Sequence, residues 1–297
     1  MAMTFERLTP VFAAVVSGID LSQPLSADAI DEIHAGMDEH AVLVFHDQVL
    51  TDEQQIRFSQ SLGPLEQPGA ASNITKPEDK RLKGPIADIS NVDKDNRLHG
   101  RDDRQRLFNL GNRLWHSDSS FRSTPAKYSL LSGRVVPPTG GNTEFADMRA
   151  AYDALDDETR AEIDGLVCEH SLIYSRGQLG FADDLTDEER RNFTPVRQAL
   201  VRRHPVTGRK SLYLSSHAGQ IVGWPIPEAR LFLRDLIEHA TRERFVYTHK
   251  WRQHDLVIWD NRQTMHRVRA YKDTSEVRDM RRTTVAGDGE TAEQVAA

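Results

Sequence analysis

A histidine and an aspartate one residue apart could form the first half of a metal site. The stretch LWHSDSSF contains His116 and Asp118, and in an extended strand residues i and i+2 project from the same face. Both side chains could then reach one ion. The pattern is weak by itself, because the chain has 12 histidines and 45 Asp and Glu residues. An ordinary hydrogen-bonded surface pair is the simpler interpretation.

His266 is the candidate for a third ligand. It follows the apolar run LVIW and the turn-forming segment DNRQT, a position from which a strand would present a side chain to the interior. Two imidazoles and one carboxylate on one face of an octahedron leave three positions open, as in non-haem Fe(II) oxygenases. Zinc hydrolases use a similar trio with one water in a tetrahedral site. The ligand set alone leaves both metals open.

Two arginines near the end of the chain could bind anions. Arg278 and Arg282, in VRDMRRTTVAG, would share a face of an extended strand and lie about 13 Å apart at roughly 3.3 Å per residue. A guanidinium stays charged and holds a carboxylate through two parallel hydrogen bonds. One arginine could hold an anion near the metal and the other a second anion farther away. A salt-bridged, solvated strand is the simpler alternative.

Short strands separated by turns make up most of the predicted framework around these residues. The predicted helices are SADAIDEIHAGMDEH, TDEQQIRFSQSLGP with a capping box from Thr51 to Gln54, DMRAAYDALDDETRAEIDGL and PIPEARLFLRDLIEHAT. The predicted strands are AVLVF, KYSLLSGRVV, TEFADM, a hairpin of LVRRHP and KSLYLSS, and the closing strands FVYTHKW, DLVIWDN and DMRRTTVAG. Because no βαβ rhythm is present, the sequence predicts a mostly β fold with helical additions, a sandwich or jelly roll.

The domain organisation is predicted to be simple. We expect residues 1–297 to form a single domain, since β barrels and sandwiches often fill this length around one core. The polar stretch 67–106 is predicted to be an insertion, either a lid or a solvated loop. A second loop is predicted at 171–198, and residues 288–297 are expected to be a disordered tail.

Composition limits the partners that the protein could have. Lys and Arg total 38 against 45 Asp and Glu, a net charge of -7, which argues against nucleic-acid binding. The apolar runs are shorter than the roughly 20 residues that span a bilayer, and MAMTFERLTP does not resemble a secretory signal. The single cysteine, Cys168, excludes intramolecular disulfides and cysteine-rich metal sites. We therefore expect a cytoplasmic protein with no membrane partner, and a homo-oligomer stays open.

Four motifs resemble a known enzyme family. The segments WHSDSSF, GGNTEFADMRAAYDAL, WDNRQTMHR and RDMRRTT, in this order, are similar to the taurine dioxygenase-like Fe(II)/2-oxoglutarate oxygenases, and most of all to bacterial 2,4-dichlorophenoxyacetate dioxygenases. The resemblance covers nearly the whole chain and is weakest at 67–106. It implies a jelly-roll (double-stranded β-helix) core and ligation of iron by His116, Asp118 and His266.

The same resemblance implies roles for other residues and a reaction. Thr143 and Arg278 would bind 2-oxoglutarate, Arg282 the carboxylate of the substrate, and Ser119 could offer its backbone N–H to that anion. The implied cofactors are Fe(II), 2-oxoglutarate as co-substrate and O₂. The implied partner is a small carboxylate such as an aryloxyalkanoate. Hydroxylation next to the ether oxygen would release a phenol and glyoxylate, with succinate and CO₂ from the co-substrate.

Three alternatives stay open at the level of sequence. The same oxygenase chemistry could act on a sulfonate, an alkyl sulfate or a chiral phenoxypropionate. A metal-dependent hydrolase could use the same ligands, but Thr143 and Arg278 would then have no role. A non-enzymatic jelly-roll binding protein could keep the scaffold without turnover, and likeness of fold does not choose among these.

Overall fold

The computed structural model describes residues 3–67 and 73–292, in which helices and strands hold similar numbers of residues. The α-helices are α1 (Ala27–His40), α2 (Asp52–Ser61), α3 (Arg104–Asn109), α4 (Met148–Asp153), α5 (Asp157–Ile163), α6 (Leu172–Gly177), α7 (Asp187–Asn192) and α8 (Ile226–Ala240). Short 3-10 helices span Pro77–Asp79, Leu110–Arg113, Ala182–Asp184 and Glu243–Phe245. The fold is therefore mixed α/β, and the prediction of a mostly β chain is wrong in its proportions.

The strands form several sheets that are almost entirely antiparallel. They are β1 (Thr4–Arg7), β2 (Ala14–Ser17), β3 (Val42–Phe45), β4 (Ile86–Asp88), β5 (Tyr128–Val135), β6 (Thr143–Asp147), β7 (Val167–His170), β8 (Val196–Ala199), β9 (Val201–Arg203), β10 (Lys210–Leu212), β11 (Ala218–Ile221), β12 (Val246–His249), β13 (Leu256–Asp260), β14 (Thr264–Val268) and β15 (Asp279–Val285). The seven-stranded sheet has the order β1-β2-β3-β13-β5-β15-β4, and only β2 and β3 run parallel. Smaller sheets are β12-β6-β14, β11-β7-β8 and β10-β9.

The seven-stranded sheet is covered on both faces. Along β13, Leu256 and Ile258 join an apolar cluster that includes residues of α1 and α2, whereas Val257 and Trp259 join a cluster with Phe145 of β6. This division follows from the two-residue period of a strand. The rings of Phe145 and Trp259 lie 5.5 Å apart, so the sheet β12-β6-β14 packs on the second face.

The local signals for helices and hairpins are confirmed where they were strongest. The hydroxyl of Thr51 accepts a hydrogen bond from Gln54 N, and Gln54 Oε1 accepts one from Thr51 N, so the predicted capping box begins α2. The helix at PIPEARLFLRDLIEHAT is α8, and β9 pairs with β10 as the predicted hairpin. By contrast, β1, β2, β4, β7, β8, β11 and β14 were not predicted as strands; each has only three to five residues.

The segments predicted to be irregular are more ordered than expected. The stretch 171–198 contains α6, α7 and part of β8, and an apolar cluster of Phe108, Leu172, Phe181, Leu185 and Phe193 holds it in place. Within the predicted insertion 67–106, β4 pairs with β15, and residues 68–72 lie outside the described residues.

The predicted tail is described only in part. Thr291 is fully buried, and its hydroxyl accepts a hydrogen bond from Ala199 N (3.0 Å). This bond joins Thr291 to β8, and residues 293–297 lie outside the described residues, so the disordered tail at 288–297 stays a prediction. Over the described part of the chain, no helix combines the length and apolar character needed to cross a membrane.

Candidate metal centre

The three predicted metal ligands lie together in the interior. His116, Asp118 and His266 are buried, and one potential ligand atom from each lies within 4.8 Å of the other two. His116 Nε2 is 4.0 Å from Asp118 Oδ1, and His266 Nε2 is 3.7 Å from Asp118 Oδ2. Two imidazole nitrogens and one carboxylate oxygen form a donor set that fits a ferrous ion and leaves coordination positions open.

A pair of backbone hydrogen bonds joins the two histidines. His116 N donates to His266 O (3.0 Å), and His266 N donates to His116 O (2.8 Å). This isolated antiparallel bridge connects the two residues directly. His116 is thus not on a regular strand, and Asp118 lies in a turn. The prediction that the pair shares one face of a strand is wrong, although the two side chains do converge.

A hydrogen bond at His116 favours metal binding through its Nε2 atom. His116 Nδ1 lies 2.7 Å from Leu114 O, and a carbonyl only accepts, so Nδ1 carries the hydrogen and Nε2 keeps its lone pair. Burial lowers the pKa of His116 and of His266. Burial alone would raise the pKa of Asp118, but the adjacent guanidinium of Arg282 is the largest of the effects that oppose it, and the pKa is held at about 2. Neutral imidazoles and an ionised carboxylate are the forms that bind a metal.

Asp118 is oriented by a network that sequence reasoning did not find. Its backbone N–H donates to Asn261 Oδ1 (3.0 Å), and Ser129 Oγ donates to its Oδ2 (2.7 Å). Asn261 Nδ2 donates to Ser129 Oγ (2.9 Å), and the indole of Trp259 donates to Asn261 Oδ1 (3.0 Å). The WDNR motif contains Trp259 and Asn261 and was the available signal. These bonds fix the angle at which the carboxylate faces the two histidines.

We expect Ser129→Ala to weaken Fe(II) binding by about 10–100-fold, since loss of a group that orients a metal ligand has an effect of this size. The measurement is equilibrium dialysis with Fe(II) under nitrogen. Ser132→Ala is the matched control, because Ser132 lies on the same strand and donates to Gln55 Oε1 instead (2.7 Å). Equal Fe(II) affinity of the two variants would contradict the orienting role.

The ligands open into a cavity that is positively charged. Among the described residues, its lining contains seven Lys and Arg residues and four Asp and Glu residues: Lys80, Arg106, Arg113, Arg122, Arg176, Arg278 and Arg282, against Glu66, Asp88, Asp118 and Asp273. The chain as a whole has a net charge of -7. A positive cavity in an acidic protein attracts anionic ligands.

Arg278 and Thr143 both line this cavity, as their predicted roles require. Arg278 is 4% exposed, and its Nε has no hydrogen-bond partner among the described residues. Burial lowers the pKa of Arg278 to about 10, and only Tyr271 opposes that shift. The hydroxyl of Thr143 accepts a hydrogen bond from the indole of Trp251 (2.9 Å). The cavity thus holds a buried guanidinium that has no carboxylate partner in the part of the chain that the structure describes.

Arg282 and Ser119 also line the cavity, but each already has a partner. Arg282 Nη1 donates to Asp118 Oδ1 (2.5 Å), while its Nε has no partner among the described residues. The hydroxyl of Ser119 donates to Glu66 Oε2 (2.7 Å), and Ser119 has a left-handed backbone with φ 55°. The side chains of Arg278 and Arg282 both line this cavity, although the pairing register of β15 with β5 shifts between Asp279 and Met280.

Three comparisons with known proteins agree with this geometry. Over 288 residues the chain is 45% identical to the alpha-ketoglutarate-dependent 2,4-dichlorophenoxyacetate dioxygenase of Cupriavidus pinatubonensis, covering 97% of this chain and 99% of that protein. It is 39% identical to the (S)-phenoxypropionate/alpha-ketoglutarate-dioxygenase of Sphingobium herbicidovorans, covering 97% and 96%. A crystal structure of AAD-2 in complex with Mn(II) and N-oxalylglycine shares 60% identity and a TM-score of 0.95, covering 98% of this chain and 100% of that one.

A family model agrees with the individual relatives. The model described as taurine catabolism dioxygenase TauD, TfdA family matches residues 4–284. The match covers all three converging ligands and both arginines, so the predicted family and enzyme class are confirmed. The chain belongs to the TauD, TfdA family of dioxygenases.

Proposed function

We propose that the protein is an Fe(II)- and 2-oxoglutarate-dependent dioxygenase that acts on an aryloxyalkanoic acid such as 2,4-dichlorophenoxyacetate. Hydroxylation of the carbon between the ether oxygen and the carboxylate gives a hemiacetal that collapses to a phenol and glyoxylate. One O₂ and one 2-oxoglutarate are consumed for each substrate, and succinate and CO₂ are formed. When bound, iron and 2-oxoglutarate supply with O₂ the oxidation that replaces C–H by C–OH.

The observation that carries this proposal is the pairing of two features in one cavity. The first is the buried trio of His116, Asp118 and His266, and the second is the buried guanidinium of Arg278, which lacks a carboxylate partner among the described residues. A dicarboxylic co-substrate needs both a metal for one end and a cation for the other. A hydrolytic zinc site would leave Arg278 buried without a counter-charge.

Arg278 and Thr143 are the residues that would hold the distal carboxylate of 2-oxoglutarate. Because Arg278 is already desolvated, an arriving carboxylate gains a charge-assisted hydrogen bond in a medium of low polarity. The oxygen of Thr143 is occupied by the indole N–H of Trp251. Its single hydroxyl hydrogen is therefore free to be donated to the carboxylate.

We expect Trp251→Phe to raise the KM for 2-oxoglutarate about fivefold with little change in kcat. The variant keeps an aromatic ring but loses the hydrogen bond to Thr143, an interaction of about 1 kcal/mol. Steady-state succinate formation measures both constants. Trp224→Phe is the control, since Trp224 packs on Phe232 and does not line the cavity. An unchanged KM for Trp251→Phe would refute the positioning role.

On the substrate side, Arg282 and the backbone N–H of Ser119 are assigned to the carboxylate. Arg282 contacts Asp118 through Nη1, and its Nε has no partner among the described residues. The Nε–H can therefore be donated to an anion. Apolar side chains in the same lining, among them Phe108, Phe121 and Leu172, suit an aromatic ring. Fixing the carboxylate and the ring together would direct one C–H towards the metal ligands.

The relatives support an anionic substrate of this class. Relatives named for 2,4-dichlorophenoxyacetate and for (S)-phenoxypropionate match this chain over nearly their whole length. N-Oxalylglycine, bound in the AAD-2 crystal structure, has the skeleton of 2-oxoglutarate with N–H in place of one methylene. A relative named alkylsulfatase is more distant, at 30% identity. These relations favour an aryloxyalkanoate over a sulfate ester.

Two structural assignments belong to the same proposal. The seven-stranded sheet packs face to face with the sheet β12-β6-β14 around Phe145 and Trp259. We assign these two sheets as the layers of a double-stranded β-helix, in line with the family match. The segment 67–106 acts as a lid: its described residues Thr75, Lys80 and His99 line the cavity.

The decisive experiment is turnover against a small panel of anions. The panel contains 2,4-dichlorophenoxyacetate, both enantiomers of 2-phenoxypropionate, an alkyl sulfate and taurine, with succinate and phenol measured separately. We expect the fastest turnover with an aryloxyalkanoate and equal amounts of phenol and succinate. Faster turnover of the alkyl sulfate or taurine would reject the proposed substrate class. A visible charge-transfer band after anaerobic addition of Fe(II) and 2-oxoglutarate is expected, and its absence would favour a hydrolase.

A further inference from the structure

A second buried arginine lines the cavity and has no assigned role. Arg176, near the end of α6, is 4% exposed and forms part of the cavity lining. Its Nη1 donates to Ser175 Oγ (3.1 Å), and its Nε has no partner among the described residues. Burial lowers the pKa of Arg176 to about 10, and no charged group opposes the shift. Arg176 therefore resembles Arg278 in its burial and in having no acidic partner within residues 3–67 and 73–292.

The guanidinium of Arg176 is held in a fixed place. Its Cζ lies 4.3 Å from the ring centre of Phe108. A Cβ atom at Gly111 would lie 2.3 Å from Cζ and Nη1 of Arg176, so the absence of a side chain at Gly111 makes room for the guanidinium. A planar cation between an aromatic ring and a glycine is oriented before any ligand arrives.

This location is connected to the metal ligands. The hydroxyl of Ser175, which contacts Arg176, also lies 2.9 Å from His217 Nδ1. The ring of His217 lies 5.9 Å from that of His116 and 5.1 Å from that of Phe121. The side chain of His217 thus lies between Ser175, which contacts Arg176, and the metal ligand His116. The apolar ring of Phe121 borders His217.

The balance of charges indicates what Arg176 would bind. Arg282 already contacts Asp118, and Arg278 is assigned to 2-oxoglutarate, so Arg176 is the buried lining guanidinium that the proposed function leaves without an anion. A buried charge without a counter-charge is unfavourable by several kcal/mol, and an anion from the ligand would remove that penalty. We propose that Arg176 binds the carboxylate of the substrate together with Arg282 and makes the cavity selective for anionic substrates. This inference rests on the proposed function.

The test compares an acid with its uncharged analogue. Phenoxyacetate and phenoxyacetamide are titrated by calorimetry into the protein loaded with Fe(II) and 2-oxoglutarate under nitrogen, where no turnover occurs. We expect Arg176→Met to raise the dissociation constant of phenoxyacetate by roughly 30-fold or more, the effect of removing one partner of a buried charge pair. The dissociation constant of phenoxyacetamide should change less than about twofold. Arg176→Lys should recover part of the loss, because it keeps the charge without the planar fork.

Two further variants separate binding from packing. Gly111→Ala keeps Arg176 but displaces its guanidinium. Like Arg176→Met, it should weaken the binding of phenoxyacetate. Arg202→Met is the matched control: Arg202 is also 4% exposed and stacks on Tyr213 at 4.7 Å, but it does not line the cavity. The Arg202 variant should bind phenoxyacetate as the wild type does. Fe(II) affinity and thermal midpoint, measured for every variant, identify general unfolding.

The possible results are distinct. Equal weakening of acid and amide by Arg176→Met would show a packing role or a ring contact, and unchanged binding of the acid would show no role, so either overturns the inference. If wild type binds phenoxyacetate in an Arg176-dependent way but forms no phenol, the proposed reaction fails and the anion site stands. If wild type forms phenol and Arg176→Met binds the acid normally, the reaction stands and the anion site fails.

Discussion

Alanine in place of His116 is expected to abolish Fe(II)-dependent formation of succinate from 2-oxoglutarate. His116 supplies one of only two imidazoles in a set of three converging ligand atoms, and two remaining ligands hold Fe(II) weakly. Asp118→Ala should have the same result, because it also removes the only carboxylate of the set. The measurement is succinate produced at saturating 2-oxoglutarate and substrate over a range of Fe(II) concentrations.

The fold should survive the His116 substitution. The bridge between His116 and His266 uses backbone atoms only, so it does not depend on the imidazole. His239→Ala is the control, since His239 lies on α8, bonds to Ala151 O (2.9 Å) and does not line the cavity. We expect this control to keep wild-type activity. Full succinate formation by either ligand variant at ordinary Fe(II) concentrations would refute the assignment.

Elements with strong local signals were predictable from the sequence. The reciprocal bonds of Thr51 and Gln54 are visible in the letters TDEQ, because a capping box depends on residues three positions apart. The apolar run LVIW similarly predicts β13, a strand buried on both faces. For the site, the residue types at 116, 118 and 266 gave only a weak signal, and the ligands could be proposed because the four family motifs occur in the expected order.

The remaining features depend on contacts between distant residues. Nothing in the sequence near His116 states that its backbone pairs with that of His266, and β14 is too short to give a periodic signal. Asn261 accepts a hydrogen bond from the backbone of Asp118 because Asp118 lies in a turn. The sequence prediction placed WHSDSSF on a strand and therefore did not indicate this contact. The sequence also shows how many arginines exist, but it does not show that Arg278 and Arg176 are buried with no acidic partner among the residues that the structure describes.

The second large effect is expected at Arg278. We predict that Arg278→Met raises the concentration of 2-oxoglutarate needed for half-maximal activity by roughly 150-fold to 5,000-fold, from a loss of about 3–5 kcal/mol on breaking a buried ion pair. Arg282→Met should change this constant much less, because Arg282 is assigned to the substrate. Equilibrium binding of 2-oxoglutarate to the Fe(II) form, under nitrogen, gives the constant directly.

Stability should change in the opposite sense to 2-oxoglutarate affinity. Without its co-substrate the protein buries Arg278 uncompensated, so an apolar side chain of similar length should leave the thermal midpoint unchanged or raise it. Arg281→Met is the control on the same strand: Arg281 forms ion pairs with Asp279 and Asp88 and does not line the cavity. We expect that control to keep wild-type affinity for 2-oxoglutarate. Equal losses of affinity in the Arg278 and Arg282 variants would contradict a distinct role for Arg278, and a larger loss in the Arg282 variant would mean that their two roles have been exchanged.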